Sequence, residues 1–498
     1  MKVAIVGGGP GGLFLATLLR RADPAIEVTV FERNRAGDTF GFGVVFSDRT
    51  LAGIHEADPV LREALAEHGR HWDVIEVRLK GERIRCGGNG MAAVVRHTLL
   101  ELMQQRATEV GADLRFSTEV ALADLDGFDL VVAADGTSST IRQELTRAGV
   151  DLGETVESAT AKFIWFGTDY RFDGLTFVHE RGPHGVFAVH GYPISDDRST
   201  FIVETDEMAW RAAGLDGFDV TQPPGASDLV TKAYLEALFA DQIDGSSLLV
   251  NNSRWSNFRT RRTLRWHTLT PRPVALLGDA VHTAHFSVGS GTKMAMEDAI
   301  ALAAALTDHQ NLAAALAAYE AAAQPSVRGI QDSARPSLAW WEHFGRYHDT
   351  FEPWQFAYHF LTRSITDARL ARRAPEFVAT THAAWRREHG AEPLDSPFEH
   401  GGLALAGRTV GAVPAGGAVL EAPADESGLP AAFADLARLA DGAPSFVAVS
   451  GGTALTRMLV CEQARMHHKV PALLVDPEMD TDRAVTAILS GRADLVAL

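Results

Sequence analysis

Gly7-Gly8-Gly9-Pro10-Gly11-Gly12 is the stretch of sequence that decides the fold, because it fits the pattern G-x-G-x-x-G. Residues 2–6 before it are rich in β-forming side chains, residues 13–22 after it have a helical pattern, and residues 27–32 alternate like a second strand. Glycines at these positions allow a tight turn and let backbone amides approach a pyrophosphate at the start of the helix. The stretch therefore predicts the first βαβ unit of a dinucleotide-binding fold.

Glu32 closes the second predicted strand, twenty residues after Gly12. A carboxylate at that position accepts hydrogen bonds from ribose hydroxyls, and Arg33 follows it directly. The first predicted set of cofactor-binding residues is Gly7, Gly9, Pro10, Gly11, Gly12, Glu32 and Arg33. This set predicts a dinucleotide but does not distinguish FAD from NAD.

Two later segments favour FAD. Residues 131–134 form an apolar strand that ends at Asp135-Gly136, with Arg142 downstream, and residues 274–277 form another that ends at Gly278-Asp279. A carboxylate at such a strand end can bind a ribityl chain, and the amides that open the next helix can face the pyrimidine side of a flavin. The residues predicted for this role are Asp135, Gly136, Asp279, Gly289, Ser290, Gly291, Thr292 and Lys293. A plain NAD-dependent dehydrogenase needs neither segment.

Composition narrows the class of protein. The chain is 46% hydrophobic and 22% charged, and its two cysteines, Cys86 and Cys461, have no spacing typical of disulfides or a metal site. We expect a cytoplasmic protein, because the sequence has neither an apolar run long enough for a membrane helix nor a signal peptide. The formal charge of −18 opposes binding to nucleic acid.

The three motifs occur in the order typical of a known family. The glycine stretch, Asp135-Gly136 and Gly278-Asp279 together resemble the flavin-dependent aromatic hydroxylases typified by p-hydroxybenzoate hydroxylase, over roughly residues 1–390. Arg96, at the start of a predicted helix, matches a position where that family often places an arginine on the cofactor. A solvated helix arginine is the alternative interpretation of Arg96.

Two segments indicate a subgroup of this family. Many relatives continue the Gly-Asp motif as H-x-x-x-P-x-x-G-x-G-x-N, whereas this chain has Phe286 in place of Pro and Lys293 in place of Asn. The stretch from residue 282 to residue 293, and Gly41-Phe42-Gly43-Val44-Val45-Phe46-Ser47-Asp48, resemble the subgroup that acts on aromatic acyl-CoA thioesters. Salicylyl-CoA 5-hydroxylase and anthraniloyl-CoA monooxygenase typify that subgroup.

The expected fold class is α/β, with an FAD-binding Rossmann-like fold of the glutathione-reductase type made from discontinuous pieces. We predict a first FAD-binding segment at 1–160, an inserted antiparallel substrate-binding sheet at 161–268, and a second FAD-binding segment at 269–330. A helical, aromatic-rich region follows at 331–400, and a Gly/Ala-rich α/β segment at 401–498.

The C-terminal segment resembles part of another fold. Residues 487–498 are similar to a late strand of old-yellow-enzyme barrels, and anthraniloyl-CoA monooxygenase carries such a barrel at its C-terminus. Only about a hundred residues follow Gly401, far fewer than the ~250 of a full eight-fold barrel. We expect a truncated, barrel-like domain without its own FMN that serves packing or dimerisation, so a homodimer is one expected state.

The resemblance also implies the reaction. In this family NADH or NADPH visits transiently to reduce FAD, which then reacts with molecular oxygen to a C4a-hydroperoxyflavin that hydroxylates an electron-rich ring. The substrate that the resemblance implies is an aromatic acyl thioester similar to salicylyl-CoA, whose phenol offsets the electron withdrawal of the thioester. The flavin carries the chemistry, so no triad, metal or protein nucleophile is expected.

Substrate residues are predicted from the inserted sheet and the second motif. His190 and Tyr192 on the sheet, together with His285 after the Gly-Asp motif, are candidates for catalysis as hydrogen-bond partners of the ring substituent, and a structural role is the alternative for each. Arg254, Arg259, Arg261 and Arg262 are candidates for the phosphates of coenzyme A, because guanidinium groups match phosphate oxygens. A solvated strand face paired with acids is the alternative for these arginines.

Several functions stay open at this point. They are a free-acid phenol hydroxylase, a thioester epoxidase, a flavin reductase, and a non-catalytic FAD-binding protein that binds a partner. A flavin halogenase is disfavoured, because no Trp-x-Trp-x-Ile-Pro motif follows the glycine stretch. The sequence leaves undecided whether the acyl carrier is coenzyme A or a carrier protein, and whether the reductant is NADH or NADPH.

Overall fold

The computed structural model describes residues 1–39, 41–219, 221–223, 225–289 and 291–498. Its strands are β1 (Lys2–Val6), β2 (Glu27–Phe31), β3 (Gly43–Ser47), β4 (Arg70–Trp72), β5 (Ile75–Leu79), β6 (Glu82–Cys86), β7 (Met91–Val95), β8 (Asp113–Arg115), β9 (Leu130–Ala133), β10 (Glu154–Thr168), β11 (Leu175–Gly182), β12 (Gly185–Pro193), β13 (Ser199–Thr205), β14 (Leu248–Leu249), β15 (Ser256–Thr263), β16 (His267–Thr268), β17 (Val274–Leu276), β18 (Phe398–His400), β19 (Leu403–Leu405), β20 (Thr409–Val410), β21 (Ala418–Ala422), β22 (Val447–Gly451), β23 (Ala472–Leu474) and β24 (Leu495–Ala497).

The helices are α1 (Pro10–Ala22), α2 (Asp48–Ala57), α3 (Pro59–His68), α4 (Arg96–Glu109), α5 (Thr140–Arg147), α6 (Glu207–Ala212), α7 (Leu229–Leu238), α8 (Gly291–Asp308), α9 (Leu312–Thr350), α10 (Pro353–Leu361), α11 (Asp367–Arg373), α12 (Pro375–His389), α13 (Leu429–Asp441), α14 (Ala454–Glu462) and α15 (Thr481–Leu489). None of the helices within these described ranges has both the length and the apolarity to cross a membrane.

The chain divides into two compact units. The first contains Met1–Val74 and Asn89–Glu342, and the second contains Ile75–Gly88 and His343–Leu498. The five segments expected from the sequence stay a prediction.

A six-stranded sheet forms the centre of the first unit, in the order β16-β17-β9-β1-β2-β8. Its strands are parallel except for the pair β16–β17. β9 is buried along its whole length, and β1 from its second residue onward, as expected for parallel strands that are covered on both faces. In register, Val6 pairs with Ala133, and Ala133 pairs with Leu276. The carboxyl ends of three neighbouring strands therefore meet at one edge of the sheet, which is where open α/β sheets bind ligands.

An antiparallel sheet follows in the same unit, in the order β14-β10-β13-β12-β11, with β15 also paired to β10. One face buries an apolar cluster that includes Phe166, Phe187 and Phe201 and packs against Ala209 and Leu235 of the helices α6 and α7. Because side chains alternate along strands, the register places a second set on the opposite face. We call this set the aromatic face: Phe163, Trp165, Phe177, His179, Ala188, His190, Ile202 and Glu204.

A small sheet, β3-β7-β4, completes the strands of the first unit. Tyr192 at the end of β12 lies against it: its ring stacks on Trp72 of β4, with ring centroids 6.1 Å apart. Tyr192 and Trp72 belong to a buried cluster with Ile194 and Ile202. Sequence reasoning did not identify this small sheet.

The second unit contains a five-stranded parallel sheet in the order β20-β24-β23-β22-β21. The strands from β21 to β24 are therefore neighbours in chain order, and α13, α14 and α15 connect them. The hairpins β5–β6 and β18–β19 and the helices α10, α11 and α12 also belong to this unit.

Most elements predicted from the sequence are confirmed. The predicted strand at 2–6, the helix after the glycine stretch and the strands that end at Asp135 and at Gly278 are all present. The antiparallel sheet begins earlier than expected, at Glu154 rather than near Lys162. The first five residues of β10 are exposed, so this extension has none of the apolar alternation that marks a strand in sequence.

Candidate active site

The glycine turn after β1 lies at the carboxyl edge of the parallel sheet. Gly7 has a φ of +115°, and a Cβ at this position would lie 2.2 Å from the carbonyl oxygen of Ala134. Only glycine fits there, because both the backbone conformation and the contact exclude a side chain. A Cβ on Gly9, by contrast, would meet no protein atom within 4 Å. The side of the turn at Gly9 is therefore open to a ligand.

A cleft of about 230 Å³ borders this turn. Gly7, Gly9, Glu32, Arg33 and Asp135 are among its lining residues. Glu32 accepts hydrogen bonds from the backbone N–H of Gly8 and from that of Asn34, each 2.8 Å long. Oε1 also accepts from Nδ2 of Asn34 at 2.7 Å. These bonds fix the carboxylate at the end of β2, and Oε2 keeps a second lone pair for a ribose hydroxyl.

The Asp-Gly turn, Asp135-Gly136, follows β9. Oδ2 of Asp135 accepts hydrogen bonds from the backbone N–H of Thr140 at 2.7 Å and of Ile141 at 3.3 Å, at the start of α5. Oδ1 of Asp135 is buried and has no hydrogen-bond partner within the described ranges. A buried carboxylate oxygen without a partner is costly unless a ligand supplies a donor.

The Gly-Asp turn, Gly278-Asp279, follows β17 and begins the cofactor loop, residues 278–289. Asp298 of α8 holds this turn, because its Oδ2 accepts from the backbone N–H of Gly278 at 2.9 Å and lies 2.7 Å from Nε2 of His282. The side chain of Asp279 remains exposed, but the protein atoms packed around it desolvate its carboxylate and raise its pKa above the usual value. The charges of His282 and Arg96 oppose that rise in pKa.

Arg96 begins α4, and its backbone N–H donates to the carbonyl of Phe42 at 2.9 Å. Burial lowers the pKa of its guanidinium, and the negative charge of Asp279 opposes that shift. Arg96 also lines the cleft beside Glu32 and Asp135. The structure therefore brings three sequence-predicted cofactor residues, from three distant segments, to one cleft.

The residues around the start of α8 that were predicted to bind the cofactor have different environments. Gly289 has a φ of +61° and ends the cofactor loop, and Gly291 and Thr292 open α8. Nζ of Lys293 lies 2.7 Å from Oε2 of Glu297, four residues along the helix. Ser290, also predicted to bind the cofactor, lies outside the described residues.

These residues fit FAD. The open turn at Gly9, the carboxylate at the end of β2 and the buried Asp135 oxygen provide the donors and acceptors that an adenosine, a pyrophosphate and a ribityl chain need. When bound, FAD would supply the oxygen chemistry, and the protein would orient the substrate and exclude water.

Rings from the cofactor loop and from α9 cover the aromatic face. The ring centroid of Phe286 lies 5.0 Å from that of Phe163 and 5.5 Å from that of His190. Trp341 of α9 lies 4.3 Å from His190 and 6.0 Å from Phe177, measured in the same way. These are distances at which aromatic rings stack or meet edge to face. The cluster is a suitable surface for a planar aromatic substrate.

A buried carboxylate lies within this aromatic cluster. Oε1 of Glu204 is 2.7 Å from Nε2 of His190, although the contact departs from the ideal hydrogen-bond direction. Oε2 of Glu204 is 3.8 Å from Nε2 of His285, whose Nδ1 lies 2.7 Å from Oγ of Ser287. The two predicted histidines therefore meet at Glu204, which sequence reasoning missed. The sequence feature that could have identified Glu204 is its position as the single acidic residue of β13, a strand that is buried along its whole length.

Tyr192, the third residue predicted for catalysis, has a different environment. Its hydroxyl donates to the backbone carbonyl of Gly43 at 3.3 Å, and its side chain is buried. Burial raises the pKa of the Tyr192 phenol above its ordinary value. This hydrogen bond joins β12 to β3, so the geometry favours the structural alternative for Tyr192.

The arginines predicted to bind coenzyme A are mostly engaged within the protein. Nε of Arg261 lies 2.5 Å from Oε1 of Glu154, Nη2 of Arg262 lies 2.9 Å from Oδ1 of Asp332, and Arg254 donates to the carbonyls of residues 222 and 223. Arg259 is exposed, and its side chain forms no ion pair in the described part of the chain. Of the four, Arg259 is the one best placed to bind an external phosphate.

No group of three or more histidine, cysteine or acidic side chains among the described residues has the arrangement of a metal site. Both cysteines are free and buried. The chemistry of the described site therefore consists of backbone amides, carboxylates, arginine and histidine.

Comparisons with known proteins agree with this geometry. Residues 1–334 match the family of the FAD binding domain. The chain is 56% identical to a salicyloyl-CoA 5-hydroxylase of a Streptomyces species, over 100% of this chain and 99% of that protein. It is 36% identical to a 3-hydroxy-4-methyl-anthranilyl-[aryl-carrier protein] 5-monooxygenase of Streptosporangium sibiricum, over 68% of this chain and 89% of that protein.

Solved structures with low sequence identity share the fold. The oxygenase of 2-methyl-3-hydroxypyridine-5-carboxylic acid superimposes with a TM-score of 0.56 at 18% identity, over 73% of this chain and 98% of that chain. PqsL of Pseudomonas aeruginosa superimposes with a TM-score of 0.52 at 22% identity, over 69% of this chain and 96% of that chain. The family match over residues 1–334 and the two sequence relatives show that the chain belongs to the FAD-dependent aromatic monooxygenases.

Proposed function

We propose that this monooxygenase uses NADH or NADPH and molecular oxygen to hydroxylate the ring of an aromatic acyl thioester similar to salicyloyl-CoA. The observation that carries the proposal is the 56% identity, along the whole chain, to an enzyme named for the 5-hydroxylation of salicyloyl-CoA. One oxygen atom enters the ring, the other leaves as water, and the nicotinamide supplies two electrons. The 36% identical relative, whose name specifies an aryl-carrier protein, supports a thioester-linked substrate more generally.

The aromatic cluster supports this substrate class. Phe286 and Trp341 lie next to His190, and Phe163 contacts Phe286, so a benzoyl ring bound at this cluster would meet aromatic surfaces. Phe286 belongs to the cofactor loop, so a ring held there would lie beside the segment assigned to the flavin. The thioester withdraws electrons, and the ring therefore needs a hydroxyl or amino group to react with an electrophilic oxygen.

A more specific proposal concerns the recognition of coenzyme A. Arg259 is exposed on β15 and has no ion pair within the described ranges, so a phosphate would not have to displace an acid. Arg261 and Arg262 already bind Glu154 and Asp332, which favours a structural role for both. We assign Arg259 to the phosphates of the carrier.

The C-terminal domain is proposed to be a remnant of an old-yellow-enzyme-like barrel. The strands from β21 to β24 are parallel and neighbours in chain order, as in an eight-fold βα barrel, whereas doubly wound sheets reverse their order at a switch point. Four such strands leave the barrel open. A homodimer and a cytoplasmic location stay predictions.

The test uses the purified holoenzyme with bound FAD. NADH and NADPH oxidation would be followed in air with salicyloyl-CoA, anthraniloyl-CoA, salicylate and anthranilate, and products would be analysed by mass spectrometry under ¹⁸O₂. We expect oxidation that depends on a thioester and a product with one ¹⁸O atom.

The other outcomes each overturn a defined part of the proposal. Turnover of the free acids alone would assign the enzyme to the phenol hydroxylases without a thioester requirement. A reduced product without ¹⁸O would indicate a flavin reductase. NAD(P)H oxidation that yields only hydrogen peroxide with all four compounds would exclude this substrate class.

A further inference from the structure

The cofactor loop is attached to the strand β15. β15 pairs with β10 along one edge. Arg261 of β15 turns its backbone groups to the loop instead, and its carbonyl accepts from the backbone N–H of Thr283 at 3.2 Å. Oγ1 of Thr263 donates to the carbonyl of Val281 at 2.5 Å. An unpaired strand edge presents backbone donors and acceptors that need partners, and residues 281–283 of the loop supply them here.

The hydroxyl of Thr283 forms two further hydrogen bonds to this strand. Its Oγ1 accepts from the backbone N–H of Arg261 at 2.7 Å and donates to the backbone carbonyl of Arg259 at 2.6 Å. A threonine hydroxyl can donate one hydrogen bond and also accept, so this side chain takes the place of a backbone partner for β15. Thr283 is only 6% exposed, and water is therefore a poor substitute for its hydroxyl.

A glutamine of α9 reinforces this attachment. Nε2 of Gln331 donates to the carbonyl of Arg261 at 2.7 Å and to the carbonyl of Thr283 at 2.9 Å, and the side chain of Gln331 is buried. β15, the cofactor loop and α9 therefore share one hydrogen-bonded junction at Thr283.

This junction divides the cofactor loop into two parts. The part before Thr283 contains the Gly-Asp turn and is held by Asp298 of α8. The part after Thr283 contains Phe286, and it is held again at Ser287, whose Oγ lies 2.9 Å from Oγ of Ser337 on α9. Phe286 therefore lies between two attached positions of the loop.

Phe286 is the ring that the second part of the loop places against the aromatic face. Its ring centroid lies 5.0 Å from that of Phe163 and 6.3 Å from that of Trp165. All three side chains are partly exposed. A shift of the loop would change the surface that a substrate ring meets, and a misplacement of about 1 Å is enough to slow a reaction severely.

We propose that Thr283 is a positioning residue for hydroxylation, because its hydroxyl attaches the cofactor loop to β15 and so holds Phe286 against the aromatic face. This inference rests on the proposed function, since it concerns the ring of the same thioester substrate. Thr283 acts through Phe286 and needs no contact with the substrate. When the ring is misplaced, NAD(P)H, one proton and molecular oxygen yield NAD(P)⁺ and hydrogen peroxide, and no oxygen atom enters the ring.

Two substitutions at Thr283 separate its hydroxyl from its shape. Thr283→Val keeps the shape of the side chain but removes both hydroxyl bonds, whereas Thr283→Ser keeps the hydroxyl. Thr168→Val is the matched control, because Oγ1 of the buried Thr168 also donates to a backbone carbonyl, at 3.0 Å, and accepts from a backbone N–H, at 3.1 Å. Retention of FAD and circular dichroism would establish that each variant is folded.

The first measurement is hydrogen–deuterium exchange of the oxidised holoenzyme without substrate. Loss of the two hydroxyl bonds should make the second part of the loop open more often, so the amides of residues 284–289 should exchange about tenfold faster in Thr283→Val than in the wild type. Thr283→Ser and Thr168→Val should exchange there as the wild type does.

The second measurement is the amount of hydroxylated product formed per NAD(P)H oxidised, with salicyloyl-CoA as substrate and hydrogen peroxide measured in parallel. We expect this ratio to fall at least about twofold in Thr283→Val, with a matching rise in hydrogen peroxide. Thr283→Ser and Thr168→Val should keep the wild-type ratio. A merely structural role for Thr283 would lower the yield of folded holoenzyme without changing this ratio.

The outcomes separate this inference from its alternatives. Faster exchange and a lower product ratio in Thr283→Val alone support the inference. A wild-type value of either quantity in folded Thr283→Val overturns it, and so does an equal defect in Thr283→Ser or in Thr168→Val.

The wild-type enzyme decides the matter if Thr283→Val does not fold. The backbone N–H of Arg261 has Thr283 as its acceptor, so this amide should be protected from exchange in the wild-type holoenzyme. Protection of this amide, together with a wild-type product ratio in Thr283→Ser, supports the inference, and an unprotected amide overturns it. If the wild type hydroxylates no thioester, the proposed function fails together with this inference, whereas failure of the inference alone leaves wild-type hydroxylation intact.

Discussion

Arg142 joins the Asp135-Gly136 turn to the Gly278-Asp279 turn through a hydrogen bond to Ala280. Nη1 of Arg142 donates to the carbonyl of Ala280 at 2.7 Å, and Nη2 donates to the carbonyl of Thr137 at 3.0 Å. Thr137 follows the Asp-Gly turn, and Ala280 follows the Gly-Asp turn. One buried guanidinium therefore sets the separation between Asp135 and Asp279.

Substitution of Arg142 should weaken FAD binding more than it weakens the fold. Arg142→Met keeps much of the side-chain volume but removes both hydrogen bonds, so we expect the Kd for FAD to rise at least about tenfold. The measurement is reconstitution of apoprotein, followed by the quenching of FAD fluorescence. Arg147→Met, on the exposed end of the same helix, is the control and should bind FAD as the wild type does. Equal Kd values for the two variants would contradict this role for Arg142.

The glycine turn offers a pair of substitutions with opposite expected effects. Gly7→Ala places a Cβ 2.2 Å from the carbonyl oxygen of Ala134 at a φ of +115°, so apoprotein stability should fall by about 2 kcal/mol or more. Gly9→Ala meets no protein atom within 4 Å, so its apoprotein should melt like the wild type while its FAD affinity drops. Thermal unfolding with and without FAD separates the two effects. A destabilised Gly9→Ala apoprotein would contradict the open turn.

Local patterns explain why the meeting of these turns at one edge of the sheet was predictable from the sequence. Gly7, Glu32, Asp135 and Asp279 each stand at the end of an apolar strand, and parallel strands bring their carboxyl ends to one edge. Sequence order and strand type were therefore enough to bring these residues together. The cleft that Gly7, Glu32 and Asp135 line follows from this topology.

The partners of Glu204, Arg261 and Arg262 depend on contacts between segments that are distant in sequence, which no local pattern contains. Glu204 approaches His190 because of the register between β12 and β13, and approaches His285 because the cofactor loop lies over that sheet. The partners of Arg261 and Arg262 are distant in the sequence, at Glu154 and Asp332. A basic strand with distant acidic partners has the same sequence pattern as a phosphate-binding strand.

Substitutions of Arg259 and Arg262 distinguish a residue that binds the acyl carrier from one with a structural role. If Arg259 binds a phosphate of coenzyme A, Arg259→Ala should raise KM for the CoA thioester by about tenfold and leave kcat nearly unchanged, since the contact is far from the ring. The effect should shrink at high salt, as expected for an exposed charge. Arg262→Ala, which loses only the ion pair with Asp332, should change KM little. A larger rise in KM for Arg262→Ala than for Arg259→Ala would reverse the assignment.

Glu462 should make the second unit sensitive to acid. Its Oε2 accepts from the hydroxyl of Tyr347 at 2.5 Å, its Oε1 lies 3.2 Å from Nε2 of His359, and Arg346 and Arg492 each approach within 3.6 Å. Burial alone would raise the pKa of Glu462, but the hydrogen bond with His359 and the charges of the arginines hold it well below the usual 4.5. Burial also lowers the pKa of His359 from 6.5, so this ring folds neutral. Both pKa values are depressed in the folded state, so the stability they contribute is complete above about pH 6.5 and is lost as the pH falls.

Substitution of Glu462 tests this cluster by urea unfolding across the pH range. Glu462→Gln leaves the arginines without their carboxylate, so it should lower the free energy of unfolding by about 3 kcal/mol at pH 7 and weaken its dependence on acid. Glu399 is exposed, so the control Glu399→Gln should match the wild type at every pH. Identical acid dependence of the wild type and Glu462→Gln would show that this cluster does not control the acid stability of the unit.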